Sequence, residues 1–130
     1  MKQEHIETMN TIVDLVAGGK KISQALGDVY EKRCVVLPFM EDIVDDPIEN
    51  LRMTGRTYNA LMRAKMRNIG DVIRFSDGGD FSSIRNFGRL SGIELFESIL
   101  NYCWARMDVD QQTNFLIDAV VRNEEYLRKG

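Results

Sequence analysis

Residues 51–75, LRMTGRTYNALMRAKMRNIGDVIRF, hold six Lys/Arg and one acid, Asp71, in a chain whose formal charge is −3. Cationic side chains at this density are the chemistry of anion recognition. Arg56 and Asn59 stand three residues apart just after Thr54, which has the type and setting of a helix N-cap. That spacing puts a guanidinium and an amide on one helical face. Charge is also partitioned along the sequence. Residues 1–50 carry 5 Lys/Arg and 10 Asp/Glu, residues 51–107 carry 9 and 5, and residues 108–130 carry 3 and 5. A basic middle between acidic flanks admits two readings: a polyanion partner for the middle alone, or a solvated arginine-rich surface.

Catalytic and metal chemistry lack their raw materials. The sequence has one histidine, His5, and two cysteines, Cys34 and Cys103, far apart and outside any CxxC. A zinc site needs about four ligands at workable spacing, and no Ser/His/Asp or Cys/His triad can be assembled. The expectation is a non-enzyme with no cofactor and no metal. Both thiols are expected to be buried and reduced, and His5 to sit on a surface helix. The longest apolar run, CVVLPFM (34–40), is broken by Pro38 and falls far short of a membrane span, and MKQEHIETMN lacks a secretory apolar block. A soluble cytoplasmic protein without a membrane partner is expected.

The elements that must position Arg56 and Asn59 read as mainly α. Residues 4–17 place Ile6, Met9, Val13 and Val16 at helical spacing, stopped by Gly18-Gly19. A second amphipathic helix over 20–33 groups Ile22, Ala25, Leu26, Val29 and Tyr30. Residues 34–39 read as one short extended piece ended by Pro38, and the acidic run MEDIVDDPIEN (40–50) as a boundary. After Thr54 come a helix of about three turns, a tight turn at Gly70, and a short helix with Asp71 in its first turn. Asp80 is suited to cap a helix over 81–86. Residues 89–107 form a longer helix with Ile93, Phe96, Ile99, Leu100 and Trp104 on its core face. A last helix, capped by Asp110, buries Phe115, Leu116, Ala119, Val120 and Leu127.

A faint repeat runs through the basic part. MRNIGDVIRF and IRNFGRLSGI share the order Arg-Asn-apolar-Gly, each between helical segments. Two such helix-hairpin-helix units make a natural pair. A glycine there frees the backbone to turn and to approach a ligand, and the next helix start offers unpaired N–H groups to an anion.

Taken in order, Pro47-Ile48-Glu49 through Leu51, then Thr54, Arg56, Asn59 and Leu61, then Ile69-Gly70-Asp71-Val72, then Asn86, Phe87, Gly88, Arg89, Ser91, Glu94 and Leu95 resemble one family. It is the C-terminal domain of the bacterial RNA polymerase α subunit, and the likeness covers about residues 47–105. The resemblance implies a compact helical domain that binds the minor groove of A/T-rich double-stranded promoter DNA. It puts the groove-entering arginine on Arg56 and its companion on Asn59. The phosphate-contacting glycine falls on Gly88, a polar contact on Ser91, and the supporting glutamate on Glu94. Arg89 adds a phosphate contact at the helix start. Glu94 would repel DNA directly, so its expected task is to orient Arg56. RNA polymerase, a σ factor or a transcription activator are the implied protein partners, and a protein-interaction adaptor that has lost DNA binding is the alternative reading.

Two departures stand out. Leu90 occupies a position where the family usually has a second basic residue, and residues 1–46 do not resemble the α subunit. The expected organisation is therefore an N-terminal helical extension (1–46), the α C-terminal-like domain (47–107), and a C-terminal helix packing on it (108–130), used as a freestanding or borrowed module. Tyr58 is expected either to stack beside the groove or to pack against the acidic part, which should lie away from the DNA-facing side.

Overall fold

The computed structural model describes residues 2–31 and 41–129, and among these the secondary structure is helical with no strand. The mainly-α class read from the sequence holds. The extended piece expected over 34–39 lies outside the described residues, as does Cys34. The chain divides into two compact units, residues 39–102 and residues 1–38 with 103–130.

The unit of residues 39–102 contains the basic stretch. Two 3-10 turns, Glu41–Ile43 and Ile48–Asn50, lead into α3 (Gly55–Arg63) and α4 (Ile69–Gly78). A third 3-10 turn, Phe81–Ser83, precedes α5 (Arg89–Arg106), within which the division of the chain falls. The core is aliphatic: Ile48, Leu61, Ile69 and Leu95 are each fully buried. Phe81 stands at its edge, with ring centroids 4.8 Å from Phe75, 5.4 Å from Phe87 and 5.9 Å from Phe96. The helix expected over 81–86 shrinks to one 3-10 turn, because Asn86 adopts φ 65° and ends any helical run.

The connection from α3 to α4 turns where no glycine stands. Lys65 takes φ 63°, its N–H donates to Met62 (3.0 Å), and Met66 N–H donates to Leu61 (3.0 Å). These are the paired bonds of a Schellman closure. A left-handed residue with a Cβ costs about 1–2 kcal/mol, so this turn is held by the packing around it. The tight turn expected at Gly70 is thus made at Lys65, and Gly70 lies inside the first turn of α4.

In the other unit, α1 (Gln3–Ala17), α2 (Ile22–Val29) and α6 (Val109–Lys129) supply the core, with α1 packed on both α2 and α6. Gly19 ends α1 at φ 108°, the stop expected at Gly18-Gly19. On α2, Ile22, Ala25 and Leu26 are buried as their spacing predicts. On α1 the buried residue is Ile12, while Ile6 and Val13 stay 37% and 45% exposed. The packed face is rotated by about one residue's turn from the expected stripe. On the same side of α1, Glu124 of α6 lies in ion-pair contact with His5 and with Lys2 (3.5 Å). His5 is therefore covered and paired rather than a surface group. Asp108, not Asp110, caps α6, accepting from Gln111 N–H at 2.8 Å while the Gln111 side chain accepts from Asp108 N–H at 2.9 Å. Phe115, Leu116, Ala119 and Val120 are buried, but Leu127 is 45% exposed. Cys103 is buried.

Candidate nucleic-acid interface

Two helix starts meet in the 39–102 unit, those of α3 and α5. Thr57, in the first turn of α3, is buried because Ala60 and Leu61 must face the core three and four residues later. Its hydroxyl donates to the hydroxyl of buried Ser91, in the first turn of α5, at 3.0 Å. Just outside this bond, Glu94 accepts from Thr54 N–H at 2.5 Å and from the Thr54 hydroxyl at 3.2 Å. Thr54 occupies the N-cap position of α3, but its hydroxyl makes no cap bond to the helix backbone. The carboxylate of Glu94 takes over part of that work, sitting where a helix start favours negative charge.

The six candidates therefore separate into two groups. Arg56, Asn59, Gly88 and Arg89 are exposed. Among the described residues, neither Arg56 nor Arg89 has an acid within ion-pair distance. Ser91 and Glu94 are instead bonded inward, joining α5 to α3. The bond expected from Glu94 to Arg56 is absent, and its carboxylate is bonded to Thr54 instead. Thr54 and Thr57 are the positioning residues that residue-type reasoning underrated. The signal was present: a threonine on either side of Arg56, with the second in register with Ala60 and Leu61.

Gly88 sits immediately before α5, its carbonyl accepting from Gly92 N–H at 3.1 Å. A Cβ added there would meet nothing within 4 Å, and its φ lies outside the left-handed region. The fold does not require glycine at this point. Leu90, next but one along, is 81% exposed, and Ile93 is 42% exposed rather than in the core.

Elsewhere in the unit, several charged and polar groups are bonded to one another. The acidic lead bonds to the α3–α4 connection through Ile48 N–H to Arg67 O (3.1 Å), Ile69 N–H to Asp46 O (2.9 Å) and Gly70 N–H to Val44 O (2.8 Å). Tyr58 donates to Glu49 at 2.7 Å, which decides between its two expected roles in favour of the acidic part. That bond lowers the carboxyl pKa of Glu49 and raises the phenol pKa of Tyr58. Asp71 accepts from the N–H groups of Arg67 (2.9 Å) and Asn68 (3.2 Å) and from the Arg74 guanidinium (2.6 Å). The Arg67 N–H bond is the largest cause of its lowered pKa. Over residues 39–102, eight Lys/Arg face ten Asp/Glu, a net −2. The positive character is local to exposed side chains, not a property of the whole unit. Among the described residues no cluster of His, Cys, Asp or Glu could hold a metal, and no helix is long and apolar enough to cross a membrane.

The sequence of this unit matches a known family. Residues 39–100 match the family of the C-terminal domain of the bacterial RNA polymerase α subunit, and that segment is a domain of this class, with the transcription-related character the family carries.

Individual relatives agree. The DNA-directed RNA polymerase subunit alpha of Trieres chinensis is 39% identical over 54 residues, 42% of this chain and 17% of that protein. Its counterpart in Cyanophora paradoxa is 40% identical over 53 residues, 41% of this chain and 16% of that protein. The subunit of Thalassiosira pseudonana is 31% identical over 94 residues, 71% of this chain and 29% of that protein. The chain thus spans less than a third of the length of these curated relatives. No solved structure matches it.

Proposed function

We propose that the 39–102 unit is a non-catalytic, transcription-related module that binds A/T-rich double-stranded DNA. The observation that carries this reading is Arg56, exposed and without an acid partner among the described residues, at a helix start pinned to that of α5. A narrow A/T minor groove concentrates negative potential and draws in guanidinium groups. Asn59 follows on the same face to meet a base edge or a phosphate. Gly88 supports the same reading: an open position that needs no glycine internally suits close approach of a phosphate, with Arg89 beside it. Ser91 and Glu94 then act by holding α5 against α3, through Thr57 and Thr54.

A unit with net charge −2 has weak long-range attraction for DNA, so affinity rests on these few contacts. Two cations on phosphates, Arg56 and Arg89, give roughly a 12-fold loss of affinity between 50 and 200 mM salt. The test is fluorescence anisotropy with A/T-rich and G/C-rich duplexes at two salt concentrations. Tighter, salt-sensitive binding to the A/T-rich duplex is expected, with Arg56→Ala weakening it by about 10-fold or more while the circular dichroism spectrum is unchanged. Equal binding by wild type and Arg56→Ala refutes the reading.

A second reading is favoured by Leu90 and Ile93, exposed apolar groups at the start of α5. On that reading the module docks on RNA polymerase, a σ factor or an activator and has lost DNA binding. It predicts no salt-sensitive duplex binding and a partner contact that Leu90→Lys abolishes.

A further inference from the structure

We propose that α1 carries a self-association surface, on which a second copy of this protein docks through a parallel pairing of the two α1 helices. The surface is the line Gln3, Ile6, Asn10, Val13 and Ala17, all exposed, lying on the flank of α1 that its own unit leaves open. Their spacing of three, four, three and four residues is the seam along which two helices pack side by side. Every ionisable residue of the helix, Glu4, His5, Glu7 and Asp14, lies off this line. A surface helix meant only for water has no reason to keep one whole stripe free of charge.

The chemistry of the stripe points to its own copy. An amide both donates and accepts, so Asn10 facing Asn10 of a two-fold mate satisfies itself, and the same holds for Gln3. A partner of different sequence would have to supply matching groups at both levels. One asparagine in an otherwise apolar seam is also the device that fixes register between paired helices. An isologous interface of this kind places each residue against its equivalent.

Orientation follows from the flanks. Glu7 and Asp14 border the seam on one side, Met9 and Val16 on the other. Antiparallel pairing sets like flank on like flank, bringing the four carboxylates of two copies together and leaving Gln3 opposite Ala17. Parallel pairing sets the acidic flank of one copy beside the apolar flank of the other, separates the carboxylates, and pairs both amides. The seam is only two heptads long, but α1 is already ordered against α2 and α6, so association does not have to form the helix. Pairing is independent of the DNA reading; where that reading also holds, it tethers two modules and raises avidity.

The test is light scattering and sedimentation equilibrium of the full-length protein from ~10 to ~300 μM. A concentration-dependent dimer is expected. Val13→Glu should weaken it at least tenfold with an unchanged circular dichroism spectrum, since Val13 is already 45% exposed. Thr11→Glu, exposed but off the stripe, should leave the mass unchanged. In a Cys34→Ser background, Ala17→Cys should form a disulfide-linked dimer under mild oxidation, because only parallel pairing brings the two copies of position 17 together. A monomer throughout this range, a dimer indifferent to Val13→Glu, or no cross-link at position 17 overturns the proposal.

Discussion

Residues 67–70 and 85–88 spell the same order, Arg-Asn-apolar-Gly, and do opposite work. In the first, Asn68 is the N-cap of α4, accepting from Asp71 N–H at 2.8 Å, and Gly70 lies under the acidic lead. A Cβ on Gly70 would stand 2.8 Å from the Val44 carbonyl oxygen. In the second, Asn86 takes the left-handed turn itself, and Gly88 holds the helix-start position with open space around it. The helix begins two residues later in the repeat. One copy is sealed by its neighbours and the other is left facing out. The lesson is that a short repeat specifies a turn between helices, while the register of the cap decides which residue becomes structural and which stays available.

The contrast can be broken most sharply at the glycines. Gly70→Ala forces its Cβ against backbone and strains the Gly70 N–H bond to Val44, so a loss of about 1–3 kcal/mol is expected in urea unfolding. Next comes Asp71→Ala, which removes three accepted bonds from the sealed copy and should cost about 1–2 kcal/mol at pH 7. The pH dependence has a definite sign. Because the folded-state pKa of Asp71 is lowered, its contribution is present above the unfolded-state value of about 3.9 and is lost as pH falls through the lower folded-state value. Wild type and Asp71→Ala should therefore converge in stability as pH falls below the ordinary carboxylate range, and a gap that stays constant from pH 7 downward contradicts this assignment.

On the open side the readout moves from stability to affinity. Leu90→Lys replaces an 81% exposed leucine with a charge at a helix start, on a side chain long enough to reach a phosphate. An increase in duplex affinity of about fivefold is expected, with the salt slope steeper by about one. The smallest stability effect belongs to Gly88→Ala, expected within about 0.5 kcal/mol of wild type, with a several-fold fall in anisotropy-measured duplex binding. If Gly88→Ala destabilises as much as Gly70→Ala, the two copies do the same structural work and the contrast fails.

Much of this molecule was legible in the residues. The helical stretches of α2, α3 and α6 follow from apolar spacing and stop signals. Thr54 stands at the N-cap position it was given, and Arg56 and Asn59 share an exposed face as their spacing requires. Legibility failed where two segments had to meet. Periodicity along α1 marks an apolar flank, but whether Ile12 or Val13 is buried depends on how α1 packs on α2 and α6. Thr57 and Ser91 are ordinary polar residues until a 3.0 Å bond between them is known. Glu94 looked like a partner for a guanidinium because its charge was visible and its bonds to Thr54 were not.

By itself, then, the amino-acid order determined the helical class and the placing of a guanidinium and an amide at one helix start, because these depend on composition and on periods of a few residues. Only the tertiary structure decided that Arg56 and Gly88 remain open while Ser91 and Glu94 turn inward, and which flank of α1 is left uncovered. Those outcomes are settled by hydrogen bonds and packing between residues 34 to 119 positions apart, a range over which local pattern carries no information.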